Sequence, residues 1–286
     1  MTEKHSLVLQ TDFGLDDGAV SAMYGVAKTV SPNLDIYDLT HNIPQYDIWT
    51  ASYRLYQTVK YWPAGTVFVS VVDPGVGSNR KSIAVKTKTG QFIITPDNGT
   101  ITHIAKHVGI ESVREINEAT DRLPGSEKSN TFHGRDVYVY NGAKLATDNA
   151  HFDNFTNELD PKQIRQLNIF DPQNHGDEVS GTIDVLDIRY GSVWTNIPFS
   201  FFEKDNVQYG DYFDVVISCR GKAVFEKKIK FVKTFADVNL GEPLIYINSL
   251  VNIGIALNQQ SFADAFDLGI GNDWKVDLKK IETKGE

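Results

Sequence analysis

The chain has 286 residues, 41 % of them hydrophobic, and 28 Lys and Arg against 37 Asp and Glu leave a net charge of −9. That length allows one or two domains with cores of their own, and the acidic balance argues against nucleic acid or an anionic membrane as partner, because no basic excess exists to displace counterions. A single cysteine, Cys219, excludes an intrachain disulfide and a multi-cysteine zinc site.

The N-terminal apolar run is too short for a signal peptide, and no stretch approaches the ~20 apolar residues of a membrane helix. A soluble cytoplasmic protein is expected. SLVLQTD reads as a buried strand. DGAVSAMYGVAKTVSP has helical spacing, with Val20, Met23, Tyr24, Ala27 and Val30 on one side. LDIYDLT is strand-like, DIWTASYRLYQTVKYWP an amphipathic helix stopped by Pro63, and GTVFVSVVD, KSIAVKT and QFIITPD are strands. GTITHIAKHVGI reads as helix, and VYVY after His133 as strand. Repeated strand–helix units with near-continuous apolar strands predict an α/β domain with a mostly parallel sheet covered on both faces, over 1–168. A Pro-, Asn- and Gln-rich linker, 169–178, follows. Short strands and Gly turns over 179–286, FDVVISC with its buried thiol among them, predict a smaller all-β, barrel-like domain.

TDFGLDDGAV places Asp12, Asp16 and Asp17 straight after the first strand. The letters DFG suggest a kinase, but no Gly-rich loop or catalytic-loop motif precedes them. At the carboxyl end of a strand in an open α/β sheet, Asp12 is placed to meet a ligand. Its two oxygens suit two adjacent hydroxyls such as a ribose diol. Metal ligation and a capped turn, with Asp16 or Asp17 capping the next helix, remain open from spacing alone. SVVDPGVGSNRKSIAV brings Asp73 and Arg80 to one loop, as a functional pair or as an ion pair that stiffens the turn. TFHGRDVYVY carries His133 beside Phe132 and Gly134, with Arg135 and Asp136 as a local scaffold pair. His5, His103, His107, His151 and His175 read as surface residues. His103 and His107 stand four apart but lack a third ligand, so no metal is expected.

In order along the chain, TDFGLDDGAVSAMYG, DLTHNIPQYDI, WPAGTVFVSVVDPGVGSNR, PDNGTIT, FHGRDVY, VWTNI and TFADV…IYINS resemble the adenosine-forming S-adenosyl-L-methionine (SAM) hydrolases, also called SAM hydroxide adenosyltransferases, which are related to fluorinases and chlorinases. The resemblance runs from about residue 7 to about residue 260. It implies an α/β N-terminal domain, a C-terminal β-barrel, and a homotrimer holding SAM between subunits, with no cofactor. It also implies a water-activating triad on Asp73, Arg80 and His133, and a ribose-binding Asp12. Asp16 would lie near the methionine end and Tyr46 along the substrate, while Phe132, Tyr190, Trp194, Phe235 and Tyr246 would line the pocket. Asp187 would meet the methionine ammonium, and Ser192, Asn248 and Ser249 would lie near the ligand. Two departures stand out. Tyr190-Gly191-Ser192 replaces a frequent Phe-Gly-Asn, and Gly254 stands where the family often has glutamate.

The implied reaction is attack of water or hydroxide on C5′ of SAM. The leaving group is a neutral thioether, so it needs no general acid. The protein must aim an oxygen nucleophile and take its proton. A halogenase would need to hold a small anion, which the charge of Asp73 would repel. A sensor that binds SAM without turnover and a metal-dependent phosphohydrolase are the other readings.

Overall fold

The computed structural model describes residues 5–155 and 157–281. The chain divides after Leu167 into two compact units.

In the first unit β1 (Leu7–Thr11), α1 (Ala19–Val30), β2 (Ile36–Thr40), α2 (Ile48–Val59), β3 (Val67–Val71), β4 (Ser82–Thr87), β5 (Phe92–Pro96), α3 (Thr102–His107), β6 (Ile110–Ile116), α4 (Tyr140–Thr147) and β7 (Asn157–Leu159) follow in order. The sheet order is β2-β1-β3-β5-β4-β6-β7. Strands β1, β2, β3, β5 and β6 run one way, and β4 and β7 run against them. Every residue of β1 and β3 is buried. Successive strand side chains point to opposite faces, so Leu7 and Leu9 pack with Met23 of α1 while Val8 packs with Leu55 of α2. That two-sided burial is why these strands read as unbroken apolar runs.

The stretch after His133 is not a strand. Gly134–Val139 is a π-helix that runs directly into α4. Val137, Tyr138 and Val139 are all buried in it. Burial of all but Arg135 removes most of the polar face that normally marks a helix, and β-branched and aromatic letters then mimic a strand. α3 is shorter than its sequence pattern suggests. The chain leaves it at Gly109, with φ +87°, and enters β6, a strand the sequence does not announce.

The second unit contains β8 (Gln173–Asn174), β9 (Glu178–Leu186), β10 (Val193–Pro198), β11 (Tyr212–Cys219), β12 (Lys222–Phe231), β13 (Pro243–Ile247), β14 (Asn252–Leu257) and β15 (Gly271–Lys280). Seven strands close into a barrel, β9-β10-β14-β13-β12-β11-β15 and back to β9, and β8 pairs outside on β9. Closure leaves no exposed edge in the ring. Ile183, Val193, Phe213, Val215, Phe225 and Ile253 belong to its core. Cys219, at the end of β11, is half-buried rather than enclosed. Among the described residues, no helix is long and apolar enough to cross a membrane.

Candidate active site

β1 and β3 are parallel neighbours, so Asp12 and Asp73 leave the same end of the sheet. Both line a cavity of about 360 Å³ together with Phe13, Asp17, Tyr46, Val76, Phe132 and His133. The three aspartates of the opening motif separate. Oδ2 of Asp12 accepts the Tyr46 amide at 2.9 Å, which holds Tyr46 at φ +66°. Oδ1 of Asp17 accepts the Ala19 amide at the start of α1. Asp16 is exposed and is not among the residues lining the cavity.

Behind Asp12 lies a polar chain that sequence reasoning missed. Thr11 Oγ1 meets His41 Nδ1 at 2.8 Å, His41 Nε2 meets Asp38 at 2.9 Å, and the Tyr24 hydroxyl donates to Asp38 at 2.7 Å. Thr11 Oγ1 also accepts the Phe13 amide, and the His41 carbonyl accepts the Gly14 amide. The turn that presents Asp12 is thus tied to the end of β2. Burial and the neighbouring Asp38 raise the Tyr24 phenol well above its ordinary value.

Arg80 organises the other side. Its Nε and Nη2 hold Asp73 in a two-pronged bond of 2.9 and 2.7 Å. The second Nη2 proton goes to Nδ1 of His133 at 3.0 Å. Nη1 reaches Ser82 Oγ at 3.2 Å and the Glu118 carboxylate. All five N–H groups of the guanidinium are therefore engaged, and the side chain is 5 % exposed. Asp73, Arg80 and His133 stand together, as the resemblance implies.

The contact with Arg80 also selects the histidine tautomer. A guanidinium only donates, so Nδ1 of neutral His133 must accept and its proton sits on Nε2. That nitrogen has no partner within the protein. Burial lowers the His133 pKa, as does Arg80 to a smaller degree, against a rise from Glu118, so the ring is neutral near pH 7. Asp73 and His133 both line the cavity, and Arg80 bridges them.

Arg135 pairs with the fully buried Asp136 at 2.6 Å and lies over the Phe132 ring at 4.9 Å. This fixes the helix start that carries His133. Among the described residues, no group of three or more His, Cys, Asp or Glu side chains is arranged to hold a metal ion.

The second unit has its own cavity, about 850 Å³, lined by Asp187, Tyr190, Ser192, Phe235 and Tyr246 among others. Oδ1 of Asp187 accepts the amides of Arg189 and Tyr190, both at 2.9 Å, and so shapes the 187–192 turn. Gly191 closes that turn at φ +64°, where an added Cβ would strike Ser261. Trp194 is not among the lining residues; its indole N–H donates to the Tyr246 hydroxyl at 3.0 Å from behind. Asn248 and Ser249 are not lining residues either. Oδ1 of the buried Asn248 accepts the amides of Leu250 and Asn252 and forms the β13–β14 turn. Gly254 is explained by its partner across the ladder. It pairs with Tyr246, and an added Cβ would lie 2.6 Å from the tyrosine ring. The Tyr246 ring occupies the space a larger residue at 254 would need.

His103 differs from its expected surface role. It is fully buried, and Ser52 Oγ meets both its amide and its Nδ1.

An α/β unit joined to a closed barrel, with a carboxylate–guanidinium–imidazole cluster at the ends of parallel strands, defines the class of protein. The model of the SAM hydroxide adenosyltransferase N-terminal domain matches residues 7–156, and that of the C-terminal domain matches residues 181–275. The chain belongs to this family. It is 34 % identical to an (R)-S-adenosyl-L-methionine hydrolase of Methanocaldococcus jannaschii, with 81 % of this chain and 80 % of the relative covered. It is 31 % identical to a Salinispora tropica protein of the same name, covering 93 % and 95 %. A fluorinase of Actinopolyspora mzabensis is 24 % identical over 94 % of this chain and 96 % of its own. An uncharacterized conserved protein from Thermotoga maritima has the same fold, with a TM-score of 0.85 and 31 % identity, covering 96 % of this chain and 99 % of that one.

Proposed function

We propose that the protein hydrolyses S-adenosyl-L-methionine to adenosine and L-methionine, with no cofactor, by attack of water on C5′. The relatives named as SAM hydrolases support this reading at the level of the reaction. The observation that carries it at the level of residues is that Asp73 and His133 line one cavity and are bridged by Arg80. In this reading His133 donates to the oxygen of one water, Asp73 accepts from it, and a lone pair is left for carbon. Arg80 holds both side chains in place.

Charge is lost as the nucleophile meets a sulfonium, so a site drier than water favours the transition state. Asp12, Asp17 and Asp73 give this cavity three carboxylates, which suits a cationic substrate. Asp12 has Oδ1 left to accept from a ribose hydroxyl. The aromatic walls of the second cavity suit a flat base, with Asp187 toward the methionine ammonium.

The same reading assigns the chain to a cytoplasmic homotrimer with sites between copies. Association between copies is supported by large apolar side chains exposed in a single chain: Tyr46 at 69 %, Tyr190 at 74 % and Ile188 at 72 %.

Isotope incorporation tests the reaction. Purified protein is incubated with SAM in water enriched in heavy oxygen, with and without chelator or halide. The expected product is adenosine carrying the label at its 5′ oxygen, formed regardless of either additive. Bound but unaltered SAM would instead indicate a sensor, and a 5′-halogenated nucleoside a halogenase.

A further inference from the structure

Hydrolysis of a sulfonium releases one proton per turnover: the water O–H breaks, O–C5′ forms, and the C5′–S electron pair stays on the neutral thioether. The proton must leave a site whose open side the substrate fills. Asp73 and Arg80 are each only 5 % exposed.

A second way out runs through the protein. From Asp73 Oδ2, the Tyr138 hydroxyl lies at 3.3 Å, Ser82 Oγ at 2.9 Å beyond it, and Glu118 Oε1 at 2.5 Å beyond that. Tyr138 and Ser82 are 0 % and 1 % exposed. Glu118 is 26 % exposed and, with Ser82 and Arg80, lines a separate polar recess of about 390 Å³. The chain of contacts thus begins at the cavity that holds Asp73 and ends at another.

We propose that Asp73, Tyr138, Ser82 and Glu118 form a proton exit, carrying the proton of the attacking water from Asp73 through two buried hydroxyls to solvent at Glu118.

The proton count supports this. Two hydroxyls bring two protons to three oxygen–oxygen contacts between two carboxylates that are both held by Arg80. One more proton fills all three contacts, and hydrolysis supplies one. Before reaction the Tyr138 hydroxyl points to Asp73 and the Ser82 hydroxyl to Glu118. Once Asp73 is protonated it donates to Tyr138, and Tyr138 turns to donate to Ser82. Ser82 passes its own proton to Glu118, which releases it to the recess; Ser82 takes the proton of Tyr138, Tyr138 takes that of Asp73, and the Ser82 hydroxyl then turns back to Glu118. Asp73 regains its charge beside Arg80, and neither is left unpaired in a buried place.

The inference rests on the site reading above, and the variants separate the two. Steady-state kcat and KM for SAM are measured for the wild type, E118Q, E118A, Y138F and D73N, each at low and high concentrations of acetate buffer. E118Q keeps an acceptor for Arg80 and Ser82 but cannot take a proton as a carboxylate does. The expected result is a kcat about tenfold lower or more in E118Q and E118A with KM unchanged. Acetate restores E118A, because a small carboxylate enters the recess. Y138F is slow and is not restored, because its break lies inside the protein. Wild-type kcat in E118Q or Y138F overturns the exit, and so does an E118A rate indifferent to acetate, which would leave Glu118 a prop for Arg80. Full activity in D73N would instead sink the site reading itself.

Discussion

Arg80 shows how much one side chain sets. Its planar fork joins Asp73, His133, Ser82 and Glu118, and thereby decides the orientation of the carboxylate and the tautomer of the imidazole. Lysine has three donors on a flexible stem and cannot reproduce the fork. Arg80→Lys is therefore expected to lower kcat on the order of 10²-fold. KM for SAM should move little, because Arg80 is not among the residues lining the cavity. Steady-state kinetics check this, and a variant with near-normal kcat would remove the guanidinium from the mechanism. Asp73 and Arg80 were legible because one short loop carries both. Glu118 was not. It lies 38 positions from Arg80 and comes near only because β4 pairs with β6, with Ser82 opposite Ile116. Gly254 was noticed as a departure, but only the ring of Tyr246 beside it gives the reason.

At the scale of elements, the contact between α2 and α3 carries a pH sensitivity. His103 of α3 lies against Ser52 of α2 and is ringed by Trp49, Tyr53 and Tyr56. Burial, and less so His107 and Lys106, push its pKa down to about 3. The unfolded chain binds a proton near pH 6.5, and the folded one does not until about pH 3. Stability from this group is thus intact above pH 6.5 and declines as pH falls toward 3, by at most ~1.4 kcal/mol per unit. Between about pH 7 and about pH 5 the wild type should lose about 2 kcal/mol through this group, and His103→Phe should lose less by that amount. Urea unfolding at the two pH values measures the difference, and an equal loss in both proteins would refute the assignment. The helix that follows His133 gives a different lesson. Its β-branched and aromatic letters read as a strand, yet α1 and the sheet pack against it, and burial outweighs propensity.

For the whole molecule, the two cavities lie in separate units of the chain, one beside Asp73 and one beside Tyr246. If a copy contributes only half of each site, inactive copies can complement one another. Asp73→Asn and Tyr246→Ala variants are each expected to be inactive alone. Co-expressed, they should recover about a quarter of wild-type activity, since half the first units and half the second units are intact and pair at random. Light scattering should show a trimer in both preparations. A mixture as inactive as its parents would place the whole site within one copy.

Most of the strands and helices, apart from β6 and the helix after His133, the two-part architecture and the residues adjacent in one loop were determined by local sequence, because hydrophobic period and turn chemistry act over a few positions. The family was legible for the same reason: its motifs are short runs such as VVDPGVGS and FHGRD. Only the tertiary structure decided which proton His133 keeps, why Gly254 is glycine, that His103 is buried, and that Glu118 stands behind Arg80. Each depends on groups far apart in the chain, brought within ångströms by strand pairing and packing, and nothing in the linear order of residues encodes those distances.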